Sequence, residues 1–191
     1  MKYFKKIVGD RIYLSPRNSE DVEIFTKWMN DFQVTEYIGR SSQIVTLNGE
    51  KEYLEQPQKQ DAVYFVIVTL DNDKMIGTVS LEKIDYLNRN ATLGIFIGEE
   101  DYRNNGYGTE AICLILEYGF NYLNLNNIDL KVMEFNPRAI ECYRKCGFKE
   151  MGRRRKEKFI NGKYYDTIYM DILKEEFDKI GKEYIRNKNI K

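Results

Sequence analysis

The sequence predicts a mixed α/β fold of the α+β kind, built on one mostly antiparallel sheet of about seven strands. Three features carry that expectation. Apolar runs rich in β-branched residues follow one another across short turns, at AVYFVIVTL (62–70), MIGTVSLEKID (75–85) and ATLGIFI (91–97), the pattern of an antiparallel meander. A strand, an amphipathic helix and a further strand then occupy 91 to 135, the order of a β-α-β unit. Near the end, two strands meet at Asn161-Gly162, a dipeptide whose turn matches the twist of a hairpin.

The elements follow in order. Residues 11 to 17 (RIYLSPR) read as a short strand, and Asn18 or Ser19 caps a helix through about Met29, on which Val22, Phe25, Trp28 and Met29 share a face. A shorter helical piece is expected around Phe32 to Ile38, and another over Thr46 to Gln56, ended by Pro57. After the meander, Ala111, Leu114, Ile115, Tyr118 and Tyr122 recur at three and four residues, which makes 107 to 123 an amphipathic helix. The next strand is NIDLKVMEF (127–135). Asn136 then caps a helix that has Pro137 at its first position, where the missing amide would have no helical partner, and Gly147 ends it. The hairpin strands are 149 to 160 and 163 to 173. Along the first, simple alternation sends Arg153 and Arg155 to one face and Arg154 and Lys156 to the other. Leu173, Phe177, Ile180 and Tyr184 suggest a last helix over 175–187. With no repeat or linker, residues 1–191 read as a single domain with its core in 11–174.

Composition removes whole classes of function. Lys plus Arg number 30 and Asp plus Glu 30, so no global field draws the chain to nucleic acid or an acidic membrane. There is no histidine, which excludes imidazole bases, Ser-His-Asp and Cys-His arrangements and histidine metal sites. Cys113, Cys142 and Cys146 form no C-x-x-C pair, so neither a disulfide framework nor a metal site is expected, and the last two read as packed thiols in a reducing, cytoplasmic compartment. Neither a signal peptide nor a membrane span is expected.

Gly106 and Gly108 stand where the third meander strand turns into a helix. A helix N-terminus presents unpaired amides and about half a positive charge, so it is an anion site wherever nothing bulky blocks the approach. The pattern Arg103-x-x-Gly106-x-Gly108 is followed by Asn136-Pro-Arg-Ala139-Ile-Glu-Cys-Tyr143-Arg-Lys-Cys-Gly147-Phe148. Together these segments resemble the GNAT superfamily, the Gcn5-related N-acetyltransferases, and the layout is similar to the branch of ribosomal-protein N-terminal and spermidine acetyltransferases.

The resemblance implies a twisted sheet with helices on both faces, and acetyl-coenzyme A as the donor cosubstrate. It puts the pyrophosphate on backbone amides across Arg103, Asn104, Asn105, Gly106, Tyr107, Gly108 and Thr109. It lays the pantetheine arm along Ile95, Phe96 and Ile97, beside Asn136, Ala139 and Tyr143. It makes the Ile97 amide the donor to the reacting carbonyl and Tyr143 the acid for the departing thiolate, with the Asn136 side chain on the pantetheine. A phenol has a reference pKa of about 10 and donates readily to a basic thiolate.

The pattern is broken at Thr92. Relatives often carry a glutamate there as base, so the role passes to Glu82, Glu134, ordered water or solvent. Asn104 and Asn105 replace basic loop residues, which leaves the pyrophosphate to amides and the helix end. The implied function is direct acetylation of a primary amine, either a protein N-terminus or a small amine. Residues 31 to 50 carry only Asp31, Glu36 and Glu50, with Arg40 among them, which does not favour a polyamine. The alternative is an acyl-coenzyme A sensor without turnover. The run Arg153 to Lys156 reads as a solvated edge, an acidic-protein contact or the interface of a homodimer.

Overall fold

A computed structural model describes residues 2–57 and 59–179. Its strands are β1 (Ile7–Val8), β2 (Ile12–Pro16), β3 (Val63–Thr69), β4 (Met75–Asp85), β5 (Asn90–Ile97), β6 (Asn127–Met133), β7 (Lys149–Ile160) and β8 (Lys163–Leu173). Its helices are α1 (Val22–Met29), α2 (Phe32–Thr35), α3 (Leu47–Glu55), α4 (Tyr107–Asn121), α5 (Pro137–Lys145) and α6, described over 174–179. All eight strands form one sheet in the order β1-β2-β3-β4-β5-β6-β8-β7. The eighth strand, β1, is two residues long, too short for a period-two pattern to be read. Ile180 and Tyr184 of the expected last helix lie outside the described residues.

Every neighbouring pair is antiparallel except β5 and β6. Alternation along the strands splits the buried side chains into two layers. Ile12, Ile67, Val79, Leu81, Leu93, Leu130 and Ile168 pack with α4 and α5, whereas Tyr13, Val66, Val68, Met75 and Phe96 pack with α1 and α3. On α4 the buried stripe runs through Ala111, Ile112, Ile115, Leu116 and Phe120. Tyr122, expected on that face, is 76% exposed, because the helix ends at Asn121 and the chain turns away.

Trp28 fixes the far end of β5. Its ring meets Phe25 and Phe96 edge-on, with centroids 5.9 and 5.7 Å away, and its Nε1 donates to Glu99 Oε1 at 3.1 Å. Glu99 also receives Lys74 Nζ at 2.8 Å. Gly98 backs directly onto this ring: a Cβ there would fall 2.2 Å from it, so only glycine allows the approach.

The β5–β6 pair positions the site. Only Asn90, Ala91 and Thr92 pair with Asn127, Ile128 and Asp129. Beyond Thr92 the two strands part, opening a wedge between them. At the other side of the sheet, Asn161 and Gly162 turn the hairpin with φ of 47° and 76°. The expected alternation of Arg153 to Lys156 is broken, since a bulge between Arg154 and Lys158 puts Lys156 at φ 51° with its amide on Asp166 Oδ1. No helix among the described residues is long and apolar enough to cross a membrane.

Candidate functional site

A cavity of about 610 Å³ lies in the wedge between β5 and β6. Its walls come from Leu93 to Ile97, the loop into α4, the α5 face and α2. Antiparallel pairing explains what the β5 wall offers. Gly98 donates its amide to Ile76 O, and the register sets Gly77 against Ile97, so even-numbered amides of β5 point to β4. The amides of Leu93, Ile95 and Ile97 therefore face the wedge, where β6 has withdrawn. An extended chain laid there meets the edge of a strand.

At the outer end of the wedge stands the N-terminus of α4. Glu110 is the first residue whose amide closes a helical bond, to Gly106 O, so the amides of Tyr107, Gly108 and Thr109 precede the helix ladder. Gly106 is the cap, at φ 82°, with no side chain to cover those amides. A Cβ on Gly108 would meet nothing nearer than Ile97 Cγ1 at 4.0 Å, so the fold itself leaves that space open. Charge and geometry together suit a diphosphate.

The loop is held from behind. Glu110, 4% exposed, accepts the amides of Asp10 and Arg11 at 2.7 and 2.9 Å and Arg11 Nε at 3.1 Å. Arg11 also donates to Asn105 O at 2.8 Å and lies 4.4 Å over the Tyr107 ring. Asn105 and Tyr107 thus face this support and do not line the cavity. Arg103, although at the cavity wall, spends its guanidinium on Ile97 O and Gly98 O, at 3.0 and 2.7 Å, and its amide on Glu100 O. The expected cradle of amides from Arg103 to Thr109 therefore narrows to the residues after Arg103. Arg103 shapes the loop.

Asn136, Ala139 and Tyr143 line the opposite wall with Cys142 and Lys145. Asn136 Oδ1 caps α5 by accepting the Ala139 amide at 3.1 Å. Tyr143 is 8% exposed, edge-on to Phe148 at 5.9 Å, and its hydroxyl makes no hydrogen bond to another described residue. Burial, helped by the neighbouring Cys142 and Cys146 thiols, pushes its ionisation above the ordinary phenol value, so it stays protonated. Cys142 is not only packing: it lines the cavity, 3.2 Å from Thr109 Oγ1. The Cys146 thiol first, and Thr109 and Lys145 after it, pull the Cys142 thiol below its ordinary value against desolvation.

Neither expected base lines the cavity. Glu134 is exposed and its Oε1 accepts the Asp166 amide at 2.8 Å, clamping the end of β6 to β8. Glu82 accepts the Ser80 hydroxyl at 2.9 Å on β4. Sequence reasoning also missed further lining residues: Gln33, Val34, Tyr37 and Ile38 from α2 and its exit, and Lys131, Arg138 and Lys145. Those on α2 have no local signal, being brought there by packing alone. Lys145 could have been found from helical spacing, three residues beyond Cys142 and four beyond Glu141, which also line the cavity. Among the described residues no group of acids, cysteines or histidines is arranged to hold a metal.

Comparison with known proteins agrees with the geometry. Residues 11–149 match the family model described as "Acetyltransferase (GNAT) domain". The chain is 40% identical over 103 residues to a spermidine N(1)-acetyltransferase of Vibrio cholerae, a match that spans 54% of this chain and 59% of that enzyme. It is 32% identical over 175 residues to the probable N-acetyltransferase YjcK of Bacillus subtilis, spanning 86% of this chain and 95% of that one. Among solved structures, spermidine N-acetyltransferase from Vibrio cholerae in complex with CoA and spermine superposes with a TM-score of 0.81 at 28% identity, over 88% of this chain and 99% of that one. The fold, the open β5 edge and the family match converge: the chain belongs to the GNAT family of acetyltransferases, whose donor is acetyl-coenzyme A.

Proposed function

We propose that the chain transfers an acetyl group from acetyl-coenzyme A directly to the primary amine of a small aliphatic molecule. The observation that carries this reading is the continuity of the cavity. It joins an uncapped helix N-terminus on one side of the sheet to the α2 wall on the other, through the wedge between β5 and β6. A donor held by its diphosphate and an amine entering beside α2 would meet in that wedge.

The residues take roles that follow from their groups. The amides of Asn104, Gly106, Gly108 and Thr109 receive the diphosphate, with Lys145 supplying the side-chain charge that the loop lacks. Ile95 and Ile97 pair with the pantetheine as a neighbouring strand would, Phe96 holds β5 in place from the far face, and Asn136 and Ala139 line the other side. The wedge-facing amide of Ile97 is the preorganised donor to the thioester carbonyl. Tyr143 protonates the leaving thiolate, a role supported by its burial, its raised ionisation and a hydroxyl without a partner among the described residues.

Two acceptor classes remain distinct in test. The relatives named as spermidine acetyltransferases favour a polyamine, and a protein N-terminus, whose reference pKa of about 8 needs less help from a base, is the second reading. A sensor without turnover is not favoured, since the relatives are named as enzymes. Calorimetric titration with acetyl-coenzyme A, followed by thiol release with polyamines, monoamines and peptides bearing free N-termini, tests the proposal. Binding with turnover of small amines is expected. Turnover of peptides alone would overturn the acceptor, and binding without any turnover would overturn the enzyme.

A further inference from the structure

Resting on the acetyltransferase reading, we propose that Asp129, acting through the Thr92 hydroxyl, accepts the proton that the acceptor amine must lose before attack. Thr92 cannot itself replace a carboxylate base, Glu134 is engaged by the Asp166 amide, and Glu82 is engaged by the Ser80 hydroxyl. The parallel register supplies what is missing: Asp129 on β6 sits directly opposite Thr92 on β5, at the last pair before the strands part. Both lie at the apex of the wedge.

Their side chains also lie on the required face. Ile128, Leu130 and Val132 of β6 pack with α4 and α5, so Asp129 and Lys131 point the other way, toward the side of α1 to α3. Thr92 shares that face with Phe96, which packs against Trp28 of α1. Lys131 and Gly94, each two residues farther along its strand, line the cavity, so the Thr92–Asp129 pair lies roughly 7 Å behind that wall by strand rise. The α2 wall, where the amine enters, is on this same side of the sheet.

Charged neighbours tune the carboxyl. Burial pushes Asp129 above the ordinary carboxylate range, while the Thr92 hydroxyl, Lys131 of β6 and Lys83 of β4 hold it back and Asp171 of β8 adds to the rise. Glu82 faces Thr92 from β4. A carboxylate made more basic in this way is a better proton acceptor near neutrality. The proton count closes. The nitrogen sheds two protons as its bond to the acetyl carbon forms and the carbon–sulfur bond breaks. One passes through a bridging water to the Thr92 oxygen as that hydroxyl gives its own to Asp129, which releases it to solvent; the other reaches the departing thiolate by way of Tyr143.

The test compares wild type with Asp129→Asn, Thr92→Val and the pair Asp129→Asn with Thr92→Glu. Turnover is followed against pH and acetyl-coenzyme A binding by calorimetry. The single variants are expected to bind the donor as wild type does but to lose roughly 10²-fold in kcat/KM at neutral pH. The acid limb of the wild-type profile, set by a carboxyl, should be absent from Asp129→Asn, whose rate climbs with pH until the amine itself is deprotonated. The paired variant, which puts a carboxylate directly at position 92, should recover much of the loss. Wild-type turnover with unchanged rate and pH profile in Asp129→Asn would overturn this assignment alone. A wild type that turns over no amine would overturn the acetyltransferase reading and this one with it.

Discussion

The two walls of the cavity are made of different material. On the donor side, β5, the first turn of α4 and α5 present mainly backbone: wedge-facing amides, an uncapped helix end and the space left by a glycine. On the acceptor side, the four-residue α2 and its exit present side chains, Gln33, Val34, Tyr37 and Ile38, with Arg138 reaching over the Tyr37 ring at 5.6 Å. Backbone geometry follows from a few glycines and caps close together in sequence, and it suits a ligand that never changes. Side-chain walls are remade by substitution without disturbing the fold, and they suit the half of the reaction that varies. The donor is therefore named by local motifs, whereas the acceptor is not.

The largest way to break this contrast is at Tyr143, where the donor wall relies on a side chain. Tyr143→Phe keeps the ring and its edge contact with Phe148, so the protein should fold and bind acetyl-coenzyme A as before. Its kcat is expected to fall roughly 10²-fold, the usual scale for losing a positioned acid. Thiol release and calorimetry on one preparation read both quantities. An unchanged kcat would mean that the donor wall works by backbone alone and that water protonates the thiolate.

A smaller effect separates the two glycines of the loop. Gly106 sits at φ 82°, and a Cβ there would come 3.2 Å from Arg11 Nη2, so Gly106→Ala should lower stability by about 1 kcal/mol. Gly108 has an ordinary helical place with open space before it, and Gly108→Ala should leave the melting temperature unchanged or slightly raised. Its cost should fall on the ligand instead, as an approximately tenfold weaker acetyl-coenzyme A, about 1.4 kcal/mol. If both variants lose stability and neither loses affinity, the loop is a turn and not an anion site.

The elements with strong local signals were legible in the chain. The meander, the α4 periodicity as far as Tyr118, the Asn136 cap with Pro137 behind it and the Asn161-Gly162 turn each carry their own chemistry, and each stands where the pattern put it. What was not legible depends on pairing across the chain. The bulge at Lys156 appears only when β7 meets β8, and the commitment of Arg103 to Ile97 and Gly98 only when the loop folds back. Asp129 likewise looks like any strand acid until the parallel register sets it against Thr92. The identity of the donor was within reach of local pattern, while the proposed base depended on which strand lies beside which and the α2 wall on packing alone.

The smallest effect probes the acceptor wall by charge. Arg138 is exposed and lines the cavity beside the Tyr37 ring, on the turn after the Asn136 cap, where its charge would face a cationic acceptor. Replacing it in Arg138→Gln removes a like charge, and an exposed interaction of this kind is worth about 0 to 1 kcal/mol. The KM of a polyamine should therefore fall by no more than about fivefold, that of a monoamine by less, and acetyl-coenzyme A binding should hold steady. The gain should shrink at high ionic strength, because exposed charges are screened over roughly 10 Å at 0.1 M salt. A KM that rises instead would show that Arg138 holds an anionic group of the acceptor, which would move the substrate from polyamines to amines that carry a carboxylate or phosphate.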